Sequence, residues 1–85
     1  MLACERIPDA VELRQSGALV AYEVELSSKG SSRRSSVLAA YASSDYERVV
    51  WIVPSSQLAA LLRTEIADNG LSQFMEVRHE HKDKD

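Results

Sequence analysis

The sequence predicts an α/β protein on one small mixed sheet, with elements in the order strand, strand, helix, strand, helix, strand. Three observations carry this reading. Two strand-like segments, Ile7 to Leu13 and Leu19 to Leu26, flank a short polar stretch holding Gly17, as the arms of a hairpin do. The run Val49-Val50-Trp51-Ile52-Val53 is apolar throughout and rich in β-branched residues, as a central strand covered on each side is. Segments with helical spacing lie before and after that run, so helices and strands alternate once the hairpin is complete.

The first strand begins at Ile7, with Pro8 near its start, where a missing N–H does least harm. Asp9, Val11 and Leu13 share one face. Arg14-Gln15-Ser16-Gly17 supplies the connection, and Leu19 to Leu26 forms the second strand. Pairing Leu13 with Leu19 sets Val11 against Ala21 and Asp9 against Glu23, with all these side chains on one face.

Ser27 to Ser32 is a polar connection. The stretch from Ser32 to Ala42 suits a helix, with Val37, Leu38 and Tyr41 on a buried stripe and Ser32 as its expected N-cap. It is expected to stop near Ser43-Ser44-Asp45, whose short polar side chains compete for backbone hydrogen bonds. Arg48 to Val53 is the third strand, ended by Pro54. Ser55 or Ser56 caps a second helix in which Leu58, Leu61, Leu62 and Ile66 recur at helical spacing and only Glu65 is out of character. Asn69-Gly70 stops it. Phe74 to Arg78 forms a last strand, and residues 79–85 read as a charged flexible tail.

The totals bound the function. Eighty-five residues make one domain, here 1–78, and a domain of this size gains from a partner or second copy over an exposed face. No apolar run is long enough to cross a bilayer, and no signal-peptide pattern opens the chain, so the expectation is a cytoplasmic protein with no membrane partner. A lone Cys4 rules out an internal disulfide framework. The net charge of −3 argues against a surface that attracts nucleic acid everywhere, although Lys29, Arg33 and Arg34 form a local basic cluster.

The candidate site is acidic. Glu23 and Glu25 project from one face of the second strand, opposite Tyr22, Val24 and Leu26. Directly opposed like charges, with Cβ atoms about 5 Å apart, are destabilising unless neutralised. Two readings stay open: a divalent cation held by Asp9, Glu23 and Glu25, or carboxylates that lie in solvent or pair with Arg33 and Arg34. His79 and His81 have metal-binding chemistry, but a charged tail makes a poor site. Trp51 and Tyr41 belong to apolar patterns and are expected in the core, with Tyr46 nearer the surface. No His or Asp has the spacing of a nucleophile triad around the serines.

Ile7-Pro8-Asp9-Ala10, Tyr22-Glu23-Val24-Glu25-Leu26 with Lys29 close behind, Tyr41, and the Val49-to-Pro54 strand resemble the C-terminal part of the replication-relaxation family of bacterial plasmids and mobile elements. More broadly they resemble the PD-(D/E)xK nuclease superfamily. The resemblance runs from Ile7 to Arg78 by strand and helix order more than by identity. It implies a restriction-endonuclease-like core, DNA as substrate, and Mg²⁺ or Mn²⁺ on Asp9, Glu23 and Glu25. It also implies Lys29 reaching back to the site, because Glu25 stands where the superfamily's strand lysine stands. An upstream helix is abbreviated, with Glu5 its only acid. Three functions follow as expectations: metal-dependent DNA hydrolysis; a degenerate remnant in a replication complex that binds DNA or a protein, with Arg33 and Arg34 on phosphates; or a homo-oligomeric interaction module.

Overall fold

A computed structural model describes residues 7–27 and 30–80. Its elements are β1 (Ala10–Leu13), β2 (Leu19–Val24), α1 (Ser31–Ala42), β3 (Arg48–Val53), α2 (Ser56–Asp68) and β4 (Met75–His79). They follow the expected order. The four strands form one sheet in the order β1-β2-β3-β4, antiparallel at β1–β2 and parallel at β2–β3 and β3–β4.

The hairpin register is the expected one, with Leu13 opposite Leu19 and Val11 opposite Ala21. Its turn is closed by the Arg14 N–H on the Ala18 carbonyl and the Gly17 N–H on the Arg14 carbonyl, both at 2.9 Å. Gly17 takes φ +93°, a conformation that any side chain resists. The strands are shorter than the alternation suggests: β1 starts at Ala10 and β2 stops at Val24. Pro8 explains the first limit, since a residue without an N–H cannot extend the ladder.

Each parallel crossover moves one place along the sheet in the same direction, so a single handedness puts both helices on one face. The core confirms it. Ala21, Val49, Trp51, Val53 and Met75, all of one strand parity, meet Val37, Leu38 and Tyr41 of α1 and Leu58, Ala59, Leu62 and Ile66 of α2. Trp51 and Tyr41 are fully buried, with ring centroids 6.5 Å apart in an edge contact, and Tyr46 packs edge-on against Tyr41. On the opposite face Val20 and Val50 are buried while Val24 stays exposed.

The two helices start differently. Ser55 accepts from the Leu58 N–H and caps α2. α1 begins after Gly30, which sits in the left-handed region at φ +80° with no side-chain cap, so Ser32 is not the cap. The Ser31 start is set by the backbone reversal that only glycine makes cheaply. At the other end β4 continues through His79, paired with Val53, so the strand includes the first residue assigned to the tail. Cys4, Glu5 and residues 81–85 lie outside the described residues.

Candidate functional site

The acids of interest gather where β2 leaves the sheet. Parity aims the side chains of Glu23 and Glu25 at the helix-covered side, and both residues are buried. A carboxylate taken out of water needs hydrogen bonds or a counter-ion, and here the protein supplies both. The Tyr41 hydroxyl of α1 donates to Glu23 Oε2 at 2.5 Å. Arg33 makes a short charge-assisted hydrogen bond to Glu25 Oε1, and Arg34 Nη1 lies 3.9 Å from Glu25 Oε2. The Glu25 N–H extends the ladder by donating to the Ile52 carbonyl at 3.0 Å.

Asp9 lies just outside the β1–β2 ladder. Its N–H donates to the Tyr22 carbonyl at 3.0 Å and its Oδ2 accepts from the Val24 N–H at 2.8 Å. Past β1 the backbone no longer serves Val24, and the carboxylate takes over as acceptor. Asp9 is therefore tied to the residue between Glu23 and Glu25, but through the peptide and not through their carboxylates.

Arg34 extends the network to α2. It is 1% exposed and forms a two-point pair with Glu65, Nε to Oε1 at 2.8 Å and Nη2 to Oε2 at 3.0 Å. The hydrogen bond to Glu65 holds the guanidinium above its ordinary pKa despite burial, with further help from the charges of Glu65 and Glu25. Glu65, the residue out of character in the α2 stripe, owes its inward placement to this arginine. Residue types alone could not have paired them, since 31 positions separate the two. The signal that was available is an acid, Glu65, at a stripe position of α2.

The sequence-derived site thus divides. Glu23, Glu25, Arg33 and Arg34 belong to one network; Asp9 borders it; Lys29 lies outside the described residues. Arg34 faces inward, so as placed it is a counter-ion and not a phosphate contact, whereas Arg33 leaves 51% of its side chain in solvent. Among the described residues, no three His, Cys, Asp or Glu side chains are grouped to hold a metal ion. The donor set as it stands suits an internal ion-pair network better than bound Mg²⁺ or Mn²⁺. A groove of about 470 Å³, lined by Leu26, Ser27, Ser55, Gln57, Leu58 and Leu61, opens beside this end of β2 and the start of α2.

Comparison with family models, curated proteins and solved structures finds no match to this chain. No described helix is long and apolar enough to cross a membrane.

Proposed function

We propose that this chain is a PD-(D/E)xK-like domain of a plasmid or mobile-element replication protein, of the replication-relaxation type, serving that complex as a non-hydrolysing DNA-binding remnant. One observation carries the non-hydrolysing part: Arg33 and Arg34 neutralise Glu25 where a divalent cation would otherwise be needed. Lys29 and the solvent-facing donors of Arg33, which keeps Glu25 as its partner, are the groups offered to phosphate, and Arg34 holds the network from within.

The test pairs binding with cleavage. Fluorescence anisotropy on a labelled duplex should show binding at low salt that weakens as salt rises, that survives Asp9→Asn with Glu23→Gln, and that falls when Lys29 and Arg33 become Gln. A supercoiled plasmid should stay intact in Mg²⁺ or Mn²⁺. Absence of binding at low salt would replace DNA with a protein partner.

Metal-dependent DNA hydrolysis is the second reading, favoured by Asp9 being tied to Val24 between Glu23 and Glu25. It requires Glu25 to exchange its pairing with Arg33 and Arg34 for the metal, whereas Asp9 accepts from Val24 through Oδ2 and Glu23 from Tyr41 through Oε2, one oxygen of each carboxylate. Nicking that needs Mg²⁺ and disappears in Asp9→Asn would establish it over the first.

A further inference from the structure

The two edges of the sheet are finished differently. At β4 the Arg63 guanidinium reaches from α2 to the Val77 carbonyl at 3.2 Å, and Glu76 is held by Arg78 and Arg48. That edge carries charge and a side chain on its outward carbonyl, the usual protection against strand addition. At β1 every residue is exposed. The Arg14 N–H bond to Ala18 fixes the alternation of the antiparallel ladder, so Glu12 and Ala10 exchange hydrogen bonds with β2. The N–H and C=O groups of Val11 and Leu13 consequently point outward.

We propose that the chain self-associates through the turn end of β1, two copies pairing antiparallel over Glu12 to Arg14 about a two-fold axis at Leu13, so that the two sheets join edge to edge. The outward groups of Leu13 then meet those of the second copy's Leu13. A two-fold perpendicular to the sheet keeps side chains on their own faces, so the helix-side face gains a row running Leu19, Leu13, then the second copy's Leu13 and Leu19. Leu13 is 71% and Leu19 41% exposed in one copy, and the row covers both. The other face favours this register over a two-fold at Glu12. With Leu13 on the axis, Glu12 of each copy lies opposite Arg14 of the other; moving the axis to Glu12 would oppose two like charges, which cross-strand pairs disfavour. Within one copy Glu12 and Arg14 are already 3.8 Å apart and about half exposed, so the ions need only change partners. Glu12 also keeps the Tyr22 hydroxyl, which donates to it at 2.9 Å. The proposal rests on the sheet alone and stands apart from the DNA-directed reading.

Sedimentation velocity of the full chain over a wide concentration range tests it. A dimer fraction that rises with concentration is expected, with Leu13→Asp monomeric throughout and unchanged in circular dichroism, as befits an exposed position. Glu12→Arg should weaken dimerisation by tenfold or more, and adding Arg14→Glu should recover it. A wild type that stays monomeric, or a dimer indifferent to Leu13→Asp, would overturn the interface. A double variant no better than Glu12→Arg would overturn the register and the two-fold at Leu13 with it.

Discussion

Arg34 and Glu65 meet in a two-point ion pair that joins the first turn of α1 to the last turn of α2, with the guanidinium almost wholly shut off from water. The pair ties together the two helices that cover one face of the sheet. Removing one partner strands a charge. Arg34→Leu should therefore destabilise the fold by about 3–5 kcal/mol in urea unfolding, whereas Arg34→Leu with Glu65→Leu should recover much of that loss. A double-variant loss equal to the sum of the two single losses would show that the pair contributes little.

Tyr41 offers a smaller change. Its hydroxyl donates to the buried Glu23, and Tyr41→Phe removes that donor while leaving the ring in its contacts with Trp51 and Tyr46. A hydrogen bond to a charged group contributes about 1.5–3 kcal/mol, and a loss in that range is expected in thermal or denaturant melts. A neutral result would mean that solvent or another donor replaces the phenol.

The cap of α2 is separable from the acid network. Ser55→Ala should cost about 0.5–2 kcal/mol, and Ser55→Asp should retain the stability because its carboxylate still accepts the Leu58 N–H. Helicity by circular dichroism and the melting midpoint together check this.

At low pH the β4 edge of the sheet should lose stability through Glu76. Its hydrogen bond to Arg78, then the charge of Arg78 and the contact with Arg48, hold its carboxyl below the ordinary value of 4.5 against the effect of burial. A carboxyl whose folded pKa is depressed adds stability that is present above the unfolded value and is lost as pH falls through the folded one. Glu76→Gln should flatten the stability profile below about pH 4.5 and leave its shape at neutral pH unchanged. The same acid slope in wild type and variant would assign the sensitivity to other carboxylates.

Much of the architecture was legible in the chain because it depends on local rules. A five-residue polar connection with glycine sets a hairpin register, and side-chain parity then carries Leu13–Leu19 to Val11–Ala21. The Arg48–Val53 strand and the Ser55 cap follow equally from residue type. Legibility failed at element ends. Ser32 has the chemistry of a cap, yet Gly30 starts α1 because the chain reverses there; His79 looked like tail, yet β3 offered it a partner in Val53.

The acids show the same division. Alternation alone placed Glu23 and Glu25 on one face and excluded them from the Val24 side, since a strand leaves no other choice. What neutralises them was settled by the crossovers, which bring α1 and α2 onto that face and so set Tyr41 against Glu23, Arg33 against Glu25 and Arg34 against Glu65. Periodicity is a property of neighbours along the chain, whereas the partner of a buried charge is chosen by which helix packs over it.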